Sequence, residues 1–138
     1  MTVALIRKAL ETRLAAITPA ASCAFENTTF TPTAGITYQR SNLLPNTPDD
    51  AQIGSKVYFE RGIYQVTVCS PMGGGPGPAA AEARAQLVKD AFKRGTSLVE
   101  GAVTVIVMNA PSVSSAMIEG DRFCIPISMR YQCQVAIP

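Results

Sequence analysis

The sequence predicts a single α+β domain, spanning residues 1–138, in which two helices pack on one face of an antiparallel or mixed sheet of about four strands. Three observations predict this fold class: an apolar stripe at helical spacing near the N-terminus, an alanine-rich segment after a glycine-rich stretch, and strict alternation of apolar and polar residues near the C-terminus. A chain of 138 residues fits one domain of ordinary size. Packing both helices on one face of the sheet would bury all three apolar patterns.

The first helix is predicted close to the N-terminus. Its apolar residues recur at intervals of three and four positions and therefore share one face: Val3, Ile6, Leu10, Leu14 and Ile17. Pro19 is expected to end this helix, because proline cannot continue the helical hydrogen-bond ladder. We interpret the stripe as the surface that packs on the sheet.

The second helix follows a glycine-rich stretch, SPMGGGPGP, at residues 70–78. A phosphate-binding loop needs a lysine and a hydroxyl residue after its last glycine, and prolines and alanines stand there instead. The glycine spacing also differs from that of dinucleotide-binding loops, and the prolines remove N–H donors that a phosphate would need. We therefore interpret Gly73, Gly74 and Gly75 as part of a hinge or contact loop.

The middle of the chain contains three candidate strand segments. A short strand is predicted from Ile36 to Arg40, and the segment at residues 56–71 contains one or two strands. Gly62 within that segment marks either the tight turn of a hairpin or a bulge in one long strand. The segment AVTVIVMNAP, residues 102–111, is apolar at successive positions, which is typical of a central strand buried on both faces.

The last strand shows the sharpest pattern in the chain. Apolar residues and Cys133 occupy every second position from Phe123 to Val135, and mainly polar residues lie between them. This period of two predicts one buried face and one wet face. Pro126 cannot donate a ladder hydrogen bond, so it favours an edge strand or a bulge. Cys124 and Cys133 face opposite sides of an unbroken strand.

The segment SNLLPNTPDDAQIGS, residues 41–55, is predicted to be a long loop, because it is rich in proline, asparagine and aspartate. Loops of this length are commonly functional. Leu43 and Leu44 inside it have two interpretations. They either anchor the loop in the core or form a knob that binds a partner, and loop length favours neither.

Residue types that carry catalysis are scarce. The chain contains no histidine, which excludes Ser-His and Cys-His mechanisms. The paired carboxylates Asp49–Asp50 and Glu119–Asp121 fall in predicted loops, where charged groups are usually solvated. We therefore predict that the protein is not an enzyme and has no catalytic residue, cofactor or metal site. The four cysteines lack metal-ligand spacing: Cys23, Cys69, Cys124 and Cys133. Two disulfides stay open as an alternative, and four reduced cysteines packed as small apolar residues are the favoured state.

Composition indicates protein partners rather than nucleic acid. Only 16% of the residues are charged, below the roughly 25% of an average domain, which indicates that other subunits cover part of the surface. The net charge of +2 and the absence of like-charge runs argue against a nucleic-acid-binding surface. The N-terminus does not resemble a signal peptide and no segment could span a membrane, so a reducing cytoplasm is expected.

Most of the chain resembles a known family. The segments at residues 61–113 and 120–134, with YQRSNLLPNTP and FENTTFTP upstream, are similar to tailed-phage tail-terminator-like proteins. The order of segments carries this resemblance, since the individual motifs carry no chemistry. The layout is also similar to that of the tail terminator of lambda-like siphophages, which has a helix–strands–helix–strands plan.

The resemblance implies a structural role in virion assembly. Such a protein would form a hexameric ring, cap the tail tube at its set length and join it to the head connector. Its expected partners are further copies of itself, the tail tube protein and the head–tail connector protein, with no membrane and no specific nucleic acid. It would act in the host bacterial cytoplasm during assembly and afterwards as a minor tail protein of a phage or prophage virion.

The resemblance also directs attention to edges and loops as working parts. The candidate interface residues combine the two predicted loops with the polar face of the last strand: Leu43, Leu44, Asn46, Asp49, Asp50, Gly73, Gly74, Gly75, Arg130, Gln132 and Gln134. Arg40, Lys56 and Arg61 are weaker candidates for lining a lumen, and an ordinary solvated surface is the favoured interpretation of these cations.

Two alternative functions stay open at this point. A neck or head-completion protein would have the same fold and different neighbours in the virion. A small-ligand-binding module using the glycine-rich loop belongs to a different functional class, and it is the less favoured alternative because the loop lacks phosphate-binding chemistry.

Overall fold

The computed structural model describes residues 2–18, 22–26, 29–31, 36–48, 54, 56–71 and 79–136. Ten elements follow one another within these ranges: α1 (Thr2–Ala15), β1 (Ser22–Ala24), β2 (Tyr38–Pro45), β3 (Val57–Pro71), α2 (Ala79–Ala91), β4 (Ser97–Glu100), β5 (Val103–Val107), β6 (Ser112–Val113), β7 (Met117–Glu119) and β8 (Arg122–Ala136). Neither helix has the length and apolar character needed to cross a membrane.

The described strands form one eight-stranded sheet. The order is β1-β2-β3-β8-β5-β4, and β6 and β7 pair with β8 beside β5. The pairing of β1 with β2 is parallel and every other pairing is antiparallel, so the sheet is mixed. The α+β class with two helices agrees with the prediction. The expected number of about four strands is too low, because strands of two to four residues are too short to show an alternating pattern.

Strands β3 and β8 form the centre of the sheet. Each is 15 residues long, and they pair without interruption from Val57↔Ala136 to Pro71↔Arg122. Gly62 therefore marks neither a hairpin nor a bulge, and it lies directly opposite Tyr131. A Cβ at Gly62 would lie 2.5 Å from the Leu44 carbonyl oxygen and 2.7 Å from the Tyr131 hydroxyl. Glycine is needed here because the Leu44 backbone and the Tyr131 side chain already occupy the space of a side chain.

Pro126 lies on this central strand, so the expected edge strand or bulge is wrong. Its carbonyl accepts a hydrogen bond from the Ser114 backbone N–H at 2.9 Å, which lies just beyond β6. Within a strand, the N–H and C=O of one residue point to the same side. The position where Pro126 lacks an N–H therefore faces the end of β6, where the pairing between β6 and β8 stops. The pairing between β8 and β3 loses no hydrogen bond.

Strand β2 occupies part of the segment that was predicted to be a loop. It extends to Pro45 and pairs with β3 from Tyr38↔Cys69 to Pro45↔Gly62. Leu43 is only 4% exposed and belongs to the main core, as the anchor interpretation expected. Leu44, the next residue on the strand, is exposed. Alternation along a strand thus gives these two leucines opposite environments.

Both helices pack on the same face of the sheet. The main core joins apolar residues of both helices to one face of the central strands: Ile6, Leu10 and Leu14 from α1, Ala81, Ala85 and Val88 from α2, and Tyr64, Val66, Ile127 and Met129 from β3 and β8. Val3, predicted as part of the buried stripe, is 38% exposed at the end of α1. The burial of Ile6, Leu10, Leu14 and Ile17 confirms the rest of that stripe.

Two of the four cysteines are not reduced. Cys69 and Cys124 are paired across β3 and β8 and form a disulfide, while Cys23 and Cys133 are free thiols. Spacing along the chain gives no hint of this pairing, since 55 positions separate the two residues. Only the register of the two long strands brings their Cα atoms to 4.1 Å.

Candidate functional site

The second face of the sheet, opposite the helices, has a covered end and an open end. At the covered end, the side chains of Ala24 and Phe30 pack against a small cluster of Tyr38, Cys69 and Cys124. Arg122 lies over the Tyr38 ring, with its guanidinium carbon 4.9 Å from the ring centroid, and donates a hydrogen bond to the Ile36 carbonyl at 2.6 Å. The segment before β2 is therefore held down over this end of the sheet.

A carboxylate lies beside the disulfide at this covered end. Glu119 forms a salt bridge with Arg40 at 3.0 Å, and a carboxylate oxygen of Glu119 also lies 3.7 Å from Cys124 Sγ. The two Sγ atoms and a Glu119 oxygen lie within 4.8 Å of one another, which is a spacing that a metal ion could bridge. Metal binding requires thiolates, and both sulfurs are bonded to each other. The cluster as it stands therefore cannot hold a metal ion.

The open end of the second face is a continuous surface in three rows that run across the sheet. Strand pairing places Leu44, Ile63, Arg130 and Met108 side by side in one row, and Asn46, Arg61, Gln132 and Ile106 in the next. The third row contains Phe59, Gln134, Thr104 and Val99. We call these twelve residues the open face.

The open face is concave. Two adjacent depressions of about 400 Å³ and 450 Å³ share Met108 and Gln132 in their linings. The first lies around Arg61, Ile63 and Arg130, and the second extends past Thr104 to Gln134. Both linings mix apolar side chains with amides, and the first also contains two arginines. Such a mixture is typical of a surface that binds another protein.

Exposed apolar side chains are concentrated here. Ten large apolar residues are exposed in the described part of the chain, and five of them belong to the open face: Leu44, Ile63, Val99, Ile106 and Met108. Val99 is 70% exposed. Exposing a cluster of apolar side chains to water is unfavourable unless another surface covers the cluster. The cluster therefore indicates an interaction site.

The charge of the open face is positive. Arg61 and Arg130 are its ionised residues, and no carboxylate belongs to it. Arg61 Nε donates a hydrogen bond to the Thr47 carbonyl at 3.1 Å, which orients the guanidinium across the edge of β2. The Arg130 backbone N–H donates to the Asn109 side-chain oxygen at 2.7 Å, which extends the β5–β8 pairing to this row.

Behind the first depression, on the helix-facing side of the sheet, lies a buried phenol. Burial raises the pKa of Tyr131 to about 12, and the negative charge of Glu60 raises it further. Tyr131 therefore stays neutral at any physiological pH. Its ring lies over Gly62 on the helix-facing side, so this phenol belongs to the main core and not to the open face.

The structure gathers six of the predicted candidates on the open face: Leu44, Asn46, Arg61, Arg130, Gln132 and Gln134. Leu43 lies in the core instead. Arg40 lies at the covered end and pairs with Glu119, and Lys56 lies exposed before the start of β3, so these cations do not form one basic patch with Arg61. Asp49, Asp50, Gly73, Gly74 and Gly75 lie outside the described residues.

Sequence reasoning missed the apolar part of the open face. The valines of β5 are buried, while Thr104 and Ile106 between them are exposed, although the segment was expected to be buried on both faces. The sequence did not mark Ile106 and Met108 as exposed. A strand with apolar residues on both faces has the same sequence pattern whether its second face is covered by its own chain or by a partner. The exposed side chains of Val113, Met117 and Ile118 were also missed, because the strands that contain them are only two and three residues long and show no periodic pattern.

Comparison with known proteins finds one matching family and solved structures of similar fold. The model of a family described as phage tail terminator protein matches residues 5–131. One solved structure, which carries no functional name, is 32% identical, with a TM-score of 0.78, and the match covers 100% of this chain and 99% of that one. A chain from the virion of a native gene transfer agent particle is 21% identical, with a TM-score of 0.61, covers 96% of this chain and 97% of that one, and thus shares the fold. No curated protein matches the sequence significantly.

Proposed function

This chain belongs to the phage tail terminator family, a family of virion structural proteins, and we propose that it caps the phage tail tube as a ring of six copies and joins the tube to the head connector. The family match over residues 5–131 confirms the resemblance read from the sequence. It also supports a structural rather than a catalytic role.

The open face is the observation that carries the proposal. A sheet whose first face is fully packed has no need of five exposed large apolar residues on its second face for its own folding. Their position beside two arginines and three side-chain amides gives a surface with both apolar area and hydrogen-bonding groups. Protein interfaces have this composition, and a ring subunit needs one such surface for each neighbour.

The architecture also suits a load-bearing subunit. Two fully paired strands of 15 residues form the centre of the sheet, and a disulfide ties them together near one end. A subunit that ends a tube must present its contact surfaces in fixed relative positions. Long strands with continuous pairing hold those surfaces rigidly, because bending them would break many ladder hydrogen bonds at once.

The test is the length of tails made without this protein. Deleting its gene from the phage that carries it should give overlong tails of variable length in electron micrographs, and supplying the wild-type chain in trans should restore one length. Thr12→Ala, an exposed change on α1 away from the open face, is the matched control and should restore length as well as wild type does.

Two outcomes would contradict the proposal. Tails of normal length that fail to attach to heads would assign the protein to the neck or to head completion instead. Normal, attached and infectious tails in the deletion strain would remove it from tail assembly altogether. Tail length and attachment are visible in the same micrographs, and a plaque assay of the same preparation measures infectivity.

A further inference from the structure

We propose that residues 112–121, which we call the arm, dock on the open face of a second copy of this chain. The partner rests on the proposed function, since a ring requires contacts between identical subunits. The two surfaces are different parts of the chain, so the contact is head-to-tail. Contacts of this kind close into a ring or continue as a helix, whereas a twofold dimer would use one surface twice.

The arm is a projecting and unusually apolar part of the sheet. It contains β6, β7 and the turn at Gly120 and Asp121, and every residue in it is exposed. Val113 and Met117 are nearly half exposed, and Ile118 is 65% exposed. The open face and the arm together hold eight of the ten large apolar residues exposed in the described ranges. The apolar surface left uncovered by folding is thus concentrated in two patches.

The shape of the arm follows from its irregular pairing with β8. Between the pairs Val107↔Tyr131 and Ser112↔Ser128, the chain entering the arm advances by five residues while β8 advances by three. Between the pairs Val113↔Ile127 and Met117↔Cys124, the arm advances by four residues while β8 again advances by three. Extra residues of this kind bend a strand away from regular pairing. No described strand pairs with the other side of β6 or β7, so the arm also forms a sheet edge.

The charges of the two surfaces are complementary. The arm contains two carboxylates, Glu119 and Asp121, and no basic residue, while the open face contains Arg61 and Arg130 and no carboxylate. Glu119 is already paired with Arg40 of its own chain, so Asp121 at the tip is the carboxylate that can reach a partner. Opposite charges on matching apolar patches favour this pairing and disfavour arm-to-arm or face-to-face contacts.

The β6 end of the arm lies beside Ile127 and Ser128, close to the open face, whereas its tip lies beyond the start of β8. The arm borders the beginning of β8, and Arg130, Gln132 and Gln134 lie in its second half. Nine residues separate Asp121 from Arg130, which corresponds to roughly 30 Å along a strand. Asp121 therefore cannot reach Arg130 of its own chain, and a second copy is required to bring these two charges together.

Charge reversal tests the contact directly. Asp121→Arg and Arg130→Asp should each raise the concentration needed for half-maximal self-association by about tenfold or more, because each places like charges at the contact. An equimolar mixture of the two variants should recover association to within about threefold of wild type, since opposite charges then meet at every contact. Sedimentation equilibrium measures all of these values.

Control variants separate the contact from folding. Asp121→Asn removes the charge and suits the same turn, so it should give an intermediate loss. Asp90→Arg, on the exposed side of α2, reverses a charge outside both surfaces and should leave association unchanged. Ile118→Ser should weaken association, whereas Val3→Ser, on α1, should not. Thermal unfolding should show that all variants are folded.

The outcomes distinguish this inference from the proposed function. Wild-type protein that stays monomeric at millimolar concentration, or a mixture that associates no better than the single variants, overturns the docking of arm on open face. If single variants still restore tail length fully, the docking is also wrong while the capping role stands. Failure of the wild-type chain to restore length would instead overturn the capping role, whatever the self-association shows.

Discussion

Cys69 and Cys124 lie directly opposite each other on β3 and β8 and close a loop across 55 positions of the chain. The bond ties the strands together at the covered end of the second face, under Tyr38 and beside Glu119. It lies far from the open face. Cys124 pairs with Met117 of the arm, so we expect the disulfide to act on stability and, through the position of β7, on the contacts that the arm makes.

Removing the disulfide should destabilise the fold. Loss of the constraint on the unfolded chain predicts a decrease in the free energy of unfolding of about 4 kcal/mol for a loop of this size, within a general range of roughly 2–5 kcal/mol. Cys69→Ala combined with Cys124→Ala tests this by chemical denaturation. Alkylation of the unfolded, unreduced protein should modify two cysteines, Cys23 and Cys133. Modification of all four would show that the bond does not form.

The hydroxyls of Ser41 and Tyr64 form a buried hydrogen bond of 2.6 Å within the core. Tyr64→Phe leaves the Ser41 hydroxyl buried without this partner and should cost about 1–3 kcal/mol of the free energy of unfolding. Ser41→Ala should cost a similar amount. The double variant should lose about 1 kcal/mol less than the sum, because the second change removes the orphaned group.

An exposed serine provides the control for this cycle. Ser97→Ala on β4 should change the free energy of unfolding by less than about 0.5 kcal/mol. Strictly additive effects of Ser41→Ala and Tyr64→Phe would mean that the two hydroxyls do not interact in solution. Urea denaturation of the four proteins of the cycle and of Ser97→Ala at neutral pH is sufficient.

Gly62→Ala should destabilise the protein although alanine is normally the better strand residue. The new Cβ would lie within 2.5 Å of the Leu44 carbonyl oxygen and within 2.9 Å of two atoms of Tyr131. Overpacking of this kind typically costs about 1–3 kcal/mol. Adding Tyr131→Phe removes the hydroxyl contact but leaves the backbone contact, so it should recover only part of the loss. Full recovery would assign the clash to Tyr131 alone.

Glu26 should make the stability sensitive to acid. Burial opposes its ionisation, but hydrogen bonds from Arg7 at 2.8 Å and from the Leu43 backbone N–H at 2.6 Å, together with the Arg7 charge, hold the pKa of Glu26 below its ordinary value of 4.5. A carboxylate with a lowered pKa stabilises the folded state above the unfolded pKa, and this contribution is lost as pH falls through the folded pKa.

The free energy of unfolding should therefore decrease more steeply below about pH 4.5 in wild type than in Glu26→Gln. Glu11 acts in the opposite direction, since burial raises the pKa of Glu11 despite the nearby Arg7, and taking the difference between the two proteins largely removes its contribution. Denaturation curves between pH 3 and pH 7 provide the measurement. Parallel pH profiles would show that the contacts of Glu26 do not couple folding to protonation.

The sequence alone determined those features that depend on local periodicity. The spacing of Ile6, Leu10 and Leu14 specifies a helix with one buried side, and the alternation from Phe123 to Val135 specifies a long strand with one buried face. These patterns hold because a helix or strand repeats its geometry every few residues, whatever it packs against. The order of segments was also sufficient to identify the family.

Tertiary structure decided what depends on register between distant segments. Gly62, the Cys69–Cys124 bond and the strand character of Leu43 and Leu44 follow from which residues of β2, β3 and β8 lie opposite one another, and no local pattern encodes that. The open face was hidden for a related reason. An apolar residue such as Ile106 has the same sequence signature whether its own chain or another covers it, and only the assembled sheet shows which surface folding leaves bare.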